Sequence, residues 1–480
     1  MRPSVHSVFP PSALRASAII ALIGPFAPSG QAAESRLVSI DIGSRRELFV
    51  DQHLLDRLDG VRFQMHRPQR QPLPQSPLRG SYTTVIRDGD LYRAWYRDHI
   101  PGYDGPWGDG HPGEITRYAE SRDGHEWTFP ELGLFEIDGS RRNNVVLAGM
   151  APFHHNFCPF LDSRPGVAAA ERYKAVAGGR QMIMDRVAAA GGERRPGGLY
   201  AFSSPDGIRW TLMSPVPIIT DGRFDSQNVA FWSEAEARYV CYFRHLTSNR
   251  LRTINRATST DFRTWTKPEV LQPNLPGEHL YTSQTHPYFR APHLYLALPT
   301  RYLPSRGDST DILFMASRSG APYARLFKEA FIRPGLDPER WGNRSNYAAL
   351  NIVPTNAAEI SIYHVHSGHR YALRTDGFAS LNAPYEGGEA LTKPLTFSGR
   401  RLTINYATAA AGALRVELQT AAGAPIEGFR LADCPKIVGD KIDQTVGWKS
   451  GGNVAQWAGK PIRIRFVLKD ADLYSFQFSD

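Results

Sequence analysis

The chain is poor in cysteine and has no long apolar run beyond its first residues, and both shortages exclude classes of protein. Its 480 residues include only 3 cysteines, too few and too far apart for a disulfide-stabilised scaffold. Cys158 and Cys241 lie within apolar strand patterns, which favours buried free thiols; a Cys158–Cys241 disulfide is the alternative. No C-x-x-C or H-E-x-x-H string occurs, so the sequence predicts no structural zinc site.

Basic residues are also not concentrated in any one segment, although the net charge is +9 at pH 7. They occur singly or in pairs, and without a lysine-rich tail or a basic helix the sequence predicts no nucleic-acid partner. A basic protein attracts anionic polymers such as uronic or sulfated glycans. The alternative is a basic surface that serves solubility alone.

Residues 1–33 have the pattern of a secretory signal. Arg2 and Arg15 are basic, an apolar stretch runs from Ala16 to Phe26, and Gly30-Gln31-Ala32 offers a small-residue cleavage site. The apolar stretch is too short to span a bilayer, and no later segment is long and apolar enough for a membrane helix. The sequence therefore predicts a secreted or periplasmic protein with no membrane partner.

What the sequence does contain is a recurring Ser-x-Asp-Gly-x-x-Trp phrase. It begins at Ser121 and at Ser204, a third copy at Ser259 lacks the glycine, and weaker echoes begin at Ser317 and Arg374. Asp-Gly makes a tight turn between two strands, and the tryptophan can pack against that turn. The near-regular spacing is typical of an array of similar blades and predicts five repeats.

Apolar alternation between these turns predicts paired strands in each repeat. The pairs are 81–86 with 91–96, 157–161 with 173–177, 228–232 with 238–243, 282–289 with 294–298, and 347–353 with 360–364. Each pair is followed by a strand that leads into the turn, which gives four antiparallel strands per repeat. We therefore predict an all-β fold: a five-bladed β-propeller followed by a small C-terminal β-sandwich.

The predicted organisation has four parts. They are the signal at 1–33, an N-terminal segment at 34–80, the propeller at 81–390 and the sandwich at 391–480. Asp51 is expected to cap a short helix through Leu55 and Leu58. Residues 181–196 are predicted to be an inserted loop, which explains the longer first interval.

Polar residues open the first predicted strand of each repeat. First strands line the axis of a propeller, so these residues are expected to meet at one mouth. Glycoside hydrolysis needs two carboxyl groups, one as proton donor and one as nucleophile or base. We predict Asp225 and Glu278 as this pair. The predicted substrate-binding residues are His155, Asn156, Gln227, Asn228, His279 and Arg344.

Three further carboxylates are weaker candidates for catalysis. Asp51 fits a helix cap, Asp311 fits a turn, and Glu359 opens a second strand farther from the predicted mouth. No cofactor is predicted; an axial calcium ion is conceivable, but no ligand string indicates it. The remaining lone histidines are interpreted as structural: His286, His364 and His366.

Four motifs carry a resemblance to known proteins: residues 46–51, 224–228, 277–281 and 469–474. With them the chain resembles propeller proteins of polysaccharide-degrading bacteria that are similar to glycoside hydrolase families 32 and 43. The resemblance covers nearly the whole mature chain and implies a five-bladed propeller that hydrolyses carbohydrate. The Asn-Asp-Pro-Asn, Arg-Asp-Pro and Glu-Cys motifs of family 32 are absent, so its catalytic positions and fructan specificity do not carry over.

Two functions follow as hypotheses. The first is an exported glycoside hydrolase acting on a plant or algal oligo- or polysaccharide, acidic ones included, through two carboxylates at the propeller mouth. The alternative is a non-catalytic carbohydrate-binding propeller. A sialidase fits less well, because its aspartate box usually has a residue between Asp and Gly, and because sialidases have six blades and an arginine triad.

Overall fold

The computed structural model describes residues 39–480, so the predicted signal at 1–33 lies outside the described residues. Within them the chain forms 32 strands and one α-helix, α1 (Gln181–Ala189). The strands make one ten-stranded sheet and six sheets of three or four strands. The predicted all-β class is confirmed.

Five short strands precede the small sheets. They are β1 (Ile40–Gly43), β2 (Arg46–Leu48), β3 (Leu55–Asp59), β4 (Arg62–Met65) and β5 (Gln69–Arg70). The helix predicted after Asp51 is wrong, because Leu55 and Leu58 belong to β3, which pairs with a C-terminal strand. Asp51 instead forms an ion pair with Arg318, whose Nε lies 2.6 Å from Asp51 Oδ2.

Three four-stranded antiparallel sheets follow in chain order. The first contains β6 (Ser81–Asp88), β7 (Leu91–His99), β8 (Glu114–Ser121) and β9 (Val145–Leu147). The second contains β10 (Cys158–Leu161), β11 (Tyr173–Gly179), β12 (Gly198–Ser204) and β13 (Thr211–Leu212). The third contains β14 (Val229–Ser233), β15 (Arg238–Leu246), β16 (Arg252–Ser259) and β17 (Glu269–Leu271).

The next repeat is divided between two three-stranded sheets. Its strands are β18 (His279–Leu280), β19 (His286–Tyr288), β20 (Ala291–Ala297), β21 (Thr300–Leu303), β22 (Ser309–Ile312) and β23 (Met315–Arg318). The last small sheet contains β24 (Val353–Pro354), β25 (Glu359–Tyr363) and β26 (Arg370–Arg374). Its fourth strand is β5, which pairs with β26, so an N-terminal strand completes a sheet made from residues far along the chain.

The first strands of these sheets contact one another in sequence. Strand β6 contacts β10, β10 contacts β14, and β14 contacts β19, while β24 contacts β6. The backbone N–H of Ile352, just before β24, donates to His286 Nε2 in β19 at 3.2 Å. These contacts close a ring of first strands.

The repeated turns are fixed by their own serine and aspartate. Ser121 Oγ donates to Asp123 Oδ1 at 3.0 Å and accepts from the Gly124 N–H at 2.8 Å. Asp123 Oδ1 also accepts from the next two backbone N–H groups. The same bonds recur in the turns that begin at Ser204 and Ser259. The phrase is therefore a structural unit, as an Asx-type turn requires.

Two of these turns dock on a neighbouring sheet. Tyr363 of β25 donates its hydroxyl to Gly124 O at 2.8 Å, and Trp95 of β7 donates its indole N–H to Gly207 O at 2.6 Å. In the third turn Phe262 occupies the glycine position and keeps a positive φ of 64°. The turns thus tie neighbouring sheets together.

The C-terminal strands form the ten-stranded sheet together with β1–β4. They are β27 (Ala379–Ala383), β28 (Gly388–Thr392), β29 (Leu395–Phe397), β30 (Arg401–Thr420), β31 (Asp440–Thr445) and β32 (Ile462–Ser479). The Phe49 ring packs on Phe466 and Phe476 at centroid distances of 6.2 and 5.8 Å. Apolar residues of the N-terminal segment therefore join the core of this sheet, and β27 joins it before the predicted boundary at residue 390.

The inserted segment 181–196 differs from its prediction as a loop because it begins with α1. Ile183, Met184 and Val187 are buried on one face of this helix. Five short 3₁₀ helices occur at Phe153–Asn156, Ala169–Glu171, Pro304–Arg306, Pro338–Arg340 and Ala455–Trp457. Among residues 39–480, no helix has the length and apolar character needed to cross a membrane.

All three cysteines are buried free thiols. This outcome confirms the interpretation favoured by the sequence, and the alternative Cys158–Cys241 disulfide is not formed. Burial raises the pKa of the Cys158 thiol to about 12, so the thiol stays protonated and packs as a small apolar group.

Candidate functional site

A cavity of about 260 Å³ lies at one end of the ring of first strands. Segments next to the first strands supply its walls: Tyr82 from β6, His155 before β10, Asp225 before β14, Tyr281 after β18 and Tyr347 before β24. Segments beside all the first strands of the ring therefore line one cavity.

Three tyrosines form an aromatic wall. The Tyr347 ring lies 6.5 Å from Tyr82 and 5.7 Å from Tyr281, and both pairs are nearly perpendicular. Burial raises the pKa of Tyr82 and Tyr347 above the usual value, so both phenols stay protonated and can donate hydrogen bonds. Aromatic faces with polar edges suit a ligand that presents both C–H faces and hydroxyl groups.

Three residues that line this cavity have a left-handed backbone. Tyr82 has φ of 46°, Asn343 of 51° and Arg344 of 58°, and all three line the cavity. Tyr82 also lies at a register shift between β6 and β7. Positive φ is uncommon for residues with a Cβ, and it persists where the surrounding structure holds it, most often at functional sites. Bulges likewise re-aim side chains next to active sites.

Asp225 lines the cavity between two arginines. Its Oδ2 lies 3.1 Å from Arg244 Nη1 and 3.5 Å from Arg180 Nη2. Burial would raise the pKa of Asp225, but the two guanidinium groups outweigh burial and hold the pKa below its usual value. Arg244 in turn lies over the Tyr281 ring at 4.4 Å. Asp225 is therefore an ionised carboxylate suited to act as a base or nucleophile rather than a proton donor.

Glu278, the predicted partner of Asp225, is not among the residues that line the cavity. Arg325 binds both of its carboxylate oxygens, and the Leu275 N–H donates to Glu278 Oε2 at 3.0 Å. The side chain is 5 % exposed. The structure thus brings Asp225 to the cavity and holds Glu278 in a buried ion pair, and their pairing stays a prediction.

His155 lines the cavity, and its imidazole contacts the buried carboxylate of Glu114. Its Nδ1 lies 2.8 Å from Glu114 Oε1, and Arg97 Nη1 lies 3.4 Å from the same oxygen. Burial would raise the pKa of Glu114, but His155 and Arg97 outweigh it and lower the pKa. Arg97 also lies over the Tyr82 ring at 4.9 Å. Glu114 therefore stays ionised and orients His155.

Two of the predicted binding amides are structural. Asn156 Nδ2 donates to Gly178 O at 2.9 Å, and its Oδ1 accepts from the Gly178 N–H at 3.0 Å. Asn228 Nδ2 donates to Ser226 O at 2.9 Å. Neither side chain has an exposed surface, so both fix the segments that precede β10 and β14.

Gln227 lies at the axis behind the cavity. Its Nε2 donates to Tyr82 O at 3.2 Å, and its Oε1 accepts from Gln284 Nε2 at 2.8 Å. Gln284 Nε2 also donates to Ala348 O at 2.7 Å. These bonds cross-link four first-strand segments. Gln227 therefore supports Tyr82 rather than lining the cavity.

His279 and Arg344, the remaining predicted binding residues, have different surroundings. His279 is not among the cavity-lining residues and accepts from the Arg252 N–H at 3.3 Å through Nδ1. Arg344 lines the cavity, and its half-exposed side chain lies 3.9 Å from Asp308. Of the eight predicted site residues, the structure places three at the cavity: His155, Asp225 and Arg344.

The weaker carboxylate candidates all form ion pairs with arginine. Asp51 binds Arg318; Asp311 Oδ1 accepts from Arg301 Nε at 3.0 Å; Glu359 Oε1 accepts from Arg370 Nη1 at 2.6 Å. None of the three is among the residues that line the cavity. Asp51 therefore has a structural contact other than the predicted helix cap, and Asp311 lies within β22 rather than in the predicted turn.

One lone histidine differs from its interpretation as structural, because His366 lines the cavity. Burial and then the nearby Arg97 lower its pKa to about 4, so the ring is neutral near pH 7. Its centroid lies 5.7 Å from that of Tyr347. A neutral imidazole can donate or accept one hydrogen bond from a ligand.

One group of described residues has the composition of a metal site: His99, His111 and Glu114 offer ligand atoms within 4.8 Å of one another. Two contacts compete with a cation there. His111 Nδ1 accepts from the Gly113 N–H at 3.2 Å, and the Arg97 cation lies 3.4 Å from Glu114. An axial calcium ion would need oxygen ligands, but the amide oxygen of Gln227 at the axis already accepts a hydrogen bond. The group suits a hydrogen-bonded support better than a metal centre, and the prediction of no cofactor stays a prediction.

The opposite end of the ring has a second cavity of about 270 Å³. It is lined by the far ends of the first strands, residues 85–87, 160–161, 230–232, 285–287 and 350–354. Both openings therefore lie on the axis of the ring. The tyrosine and arginine cluster belongs to the first cavity.

Comparison with known proteins gives similarity to solved structures only. No family model matches the chain, and no curated protein matches it. A family 43 arabinoxylan arabinofuranohydrolase from Bacillus subtilis is 13 % identical at a TM-score of 0.40, over 85 % of this chain and 97 % of that chain. An exo-β-1,3-galactanase from Phanerochaete chrysosporium is 10 % identical at a TM-score of 0.37, over 87 % and 100 %.

A third similar structure is a β-1,2-mannobiose phosphorylase from Listeria innocua. It is 12 % identical at a TM-score of 0.40, over 63 % of this chain and 92 % of that chain. The solved structures similar to this chain include glycoside hydrolases of family 43 and a phosphorylase.

Proposed function

We propose that this protein is a five-bladed β-propeller with a C-terminal β-sandwich that binds the end of a carbohydrate chain and hydrolyses a glycosidic bond. The closed ring of first strands and the pairing of β5 with β26 support the five-bladed arrangement. The sandwich is proposed for the ten-stranded sheet and its own apolar core. The proposal that the protein is exported rests on the signal-like sequence of residues 1–33.

The observation that carries the proposal is the first cavity, which segments beside all five first strands line with tyrosine, arginine and carboxylate side chains. Its tyrosine wall offers apolar faces for a sugar ring, and Arg97, Asp225 and Arg344 offer charged hydrogen-bonding groups for the ring substituents. A few converging polar groups in an otherwise aromatic pocket are typical of small-molecule sites.

In the proposed reaction Asp225 is the ionised carboxylate. It either removes a proton from the attacking water or attacks the anomeric carbon itself, while an acid protonates the leaving oxygen. With Asp225 in this role, Glu278, the other member of the predicted pair, would be the acid. Asp109 is a second candidate for this role because it lines the cavity. His155, held by Glu114, would orient the sugar or relay a proton.

The proposed substrate class includes acidic sugars. Arg97 and Arg344 line the cavity, and Arg180 and Arg244 stand behind Asp225. Guanidinium groups bind carboxylates through paired, charge-assisted hydrogen bonds. These arginines could therefore bind the carboxylate of a uronic acid.

A product assay tests the reaction. Purified mature protein is incubated with polygalacturonate, arabinoxylan, galactan and aryl-glycosides, and released sugars are quantified. We expect Asp225→Asn to lower turnover about 10³-fold, the usual range for loss of a catalytic base. Asp311→Asn is the matched control, because Asp311 is also an aspartate paired with arginine but does not line the cavity.

The same assay separates the candidate acids. Loss of activity in Glu278→Gln but not in Asp109→Asn would retain the predicted pair, and the reverse result would move the acid to Asp109. Near wild-type turnover in Asp225→Asn, with an unchanged unfolding midpoint, would contradict the proposed role of Asp225. Each variant is compared with wild type by thermal unfolding.

Non-catalytic carbohydrate binding is the alternative, and one observation favours it. The negative charges of Asp225 and Glu278 are each balanced by the positive charge of an arginine partner, as expected for carboxylates that serve a binding site. Saturable binding of one glycan without any product from the panel would support this alternative over hydrolysis.

A further inference from the structure

Two tryptophans are largely exposed among the residues that the structure describes. Trp107 is 65 % exposed and Trp341 is 58 % exposed. Large aromatic side chains in water are costly to maintain, and clustered ones usually mark a binding surface. Each of them is two residues away in the chain from a residue that lines the cavity, Asp109 and Asn343 respectively.

The exposed ring of Trp107 is held in place. It contacts His111 at 4.6 Å, His99 at 5.5 Å and Tyr103 at 6.0 Å, measured between ring centroids. A Cβ on Gly113 would lie 2.3 Å from the Tyr103 ring, so the loop between β7 and β8 closes tightly around these aromatics. Trp107 is thus a supported platform, not a loose side chain.

Trp341 is also held in place by contacts within its own loop. Its indole N–H donates to Gly335 O at 2.9 Å. The preceding residue, Arg340, is buried and donates to Asn346 Oδ1 at 2.9 Å and to the Tyr371 hydroxyl at 2.7 Å. The loop that carries Arg344 into the cavity therefore also presents a fixed, exposed indole.

We propose that Trp107 and Trp341 bind sugar units outside the cavity, so that the ligand is a carbohydrate chain longer than the cavity holds. This proposal rests on the proposed function, because the cavity is taken to hold the chain end. The C–H faces of a sugar ring stack on an indole, and stacking on a preformed aromatic surface contributes affinity without ordering a loop. Each platform is connected to the cavity wall along the chain, because Trp107 is two residues before Asp109 and Trp341 is two residues before Asn343.

Binding as a function of chain length tests the proposal. Oligogalacturonides and xylo-oligosaccharides of two and six units are titrated calorimetrically into Asp225→Asn protein, with and without Trp107→Ala and Trp341→Ala. We expect each tryptophan substitution to weaken hexasaccharide binding about 10-fold, in keeping with the usual strength of aromatic stacking. Disaccharide binding should change by less than about twofold.

Two controls make the result specific. Tyr385→Ala removes another exposed aromatic residue, one between β27 and β28 that does not line the cavity, and it should leave both affinities unchanged. Trp107→Phe should restore part of the hexasaccharide affinity, since a smaller aromatic ring still stacks. Because Trp107 and Trp341 are exposed, their substitution should leave the unfolding midpoint near that of wild type.

The outcomes separate this proposal from the proposed function. In one outcome the Asp225→Asn protein binds an oligosaccharide while the tryptophan variants keep the same difference in affinity between two and six units. That result would contradict the role of the two tryptophans and leave the cavity assignment in place. If no carbohydrate in either series binds to any protein, both proposals are overturned. Self-association of wild type that disappears in the tryptophan variants, measured by sedimentation, would assign the surface to a second copy of the chain and overturn the carbohydrate assignment.

Discussion

At the scale of single residues, ion pairing limits what each carboxylate can do. Asp225 and Glu278 each face arginine, but only Asp225 has a surface on the cavity. A carboxylate between two guanidinium groups stays ionised at neutral pH, which suits a base and opposes an acid. Asp225 is therefore the base or nucleophile of the proposed reaction, and a different group must supply the acid.

Arg344 offers a test of the acidic substrate. Arg344→Gln removes a cation that lines the cavity, and we expect it to weaken binding of oligogalacturonides about 10-fold, as for the loss of a charged hydrogen bond. Binding of methyl-esterified oligomers should change much less, because the esters lack the charge. Both affinities are measured by calorimetry at low and at moderate salt.

Arg306→Gln is the matched control for net charge, because Arg306 is exposed in the 3₁₀ helix Pro304–Arg306 and does not line the cavity. An equal loss of affinity in Arg306→Gln would attribute the effect to the overall field of the protein. Equal weakening of the acidic and esterified ligands by Arg344→Gln would show that Arg344 does not recognise a carboxylate.

The sequence predicted some of these residues and missed others for identifiable reasons. Asp225, His155 and Arg344 were found because they open first strands, and strand order alone brings those positions together. Arg97 and Asp109 belong to the end of β7 and the loop after it, and nothing in a loop sequence shows that it folds back over an axis. Asn156 and Asn228 looked like ligands because burial of an amide is invisible until its partners are known.

At the scale of elements, the repeated turn is the most predictable part of the chain. Its serine and aspartate satisfy the turn's own N–H groups, so the same seven residues fold alike wherever they occur. The segment after Asp51 shows the opposite case: apolar spacing at Leu55 and Leu58 also fits a helix, and pairing of β3 with β28 decides for a strand. The first half of segment 181–196 forms helix α1 for a similar reason, since its apolar residues are buried together.

The docking of these turns can be tested at Gly207. It has φ of 75°, and a Cβ there would lie 2.8 Å from the Trp95 ring. We expect Gly207→Ala to lower the free energy of unfolding by about 2–4 kcal/mol, from left-handed backbone strain plus overpacking. The free energy of unfolding is measured by chemical denaturation, with tryptophan fluorescence as the readout.

Gly89→Ala is the matched control, because Gly89 has φ of 63° and a Cβ there would meet no heavy atom within 4 Å. It should show the strain alone, about 1–2 kcal/mol. If the two variants lose equal stability, the turn does not dock on Trp95 tightly enough to resist a methyl group.

At the scale of the whole molecule, the two ends of the described chain hold the architecture together. Strand β5 pairs with β26, and β1–β4 pair with C-terminal strands. Pairing of segments that lie far apart in the chain costs loop-closure entropy. This cost is offset only when both paired segments are folded. The separate N-terminal segment predicted from the sequence has no separate core, because long-range pairing leaves no local signal.

The ring also buries histidines that must stay neutral, and this makes stability depend on pH. His154 and His286 accept backbone N–H groups at Nε2, at 2.9 and 3.2 Å, and burial lowers the pKa of each to about 4. The unfolded pKa is about 6.5, so between pH 6.5 and 4 the unfolded chain binds more protons than the folded one. The stabilisation is therefore complete above pH 6.5 and is lost as the pH falls toward 4.

We expect each of these histidines to cost about 2 kcal/mol of stability between pH 7 and pH 5. In His286→Gln the amide oxygen can still accept the Ile352 N–H, but nothing titrates, so its stability should fall less over this range than that of wild type. His154→Gln is the second variant, and His125→Gln, in a repeated turn, is the control. Parallel pH profiles for wild type, His286→Gln and His154→Gln, measured by urea denaturation, would show that the buried histidines take up their protons without unfolding. In that case the acid sensitivity of the ring would have to come from its carboxylate–arginine pairs, which lose their charge at lower pH.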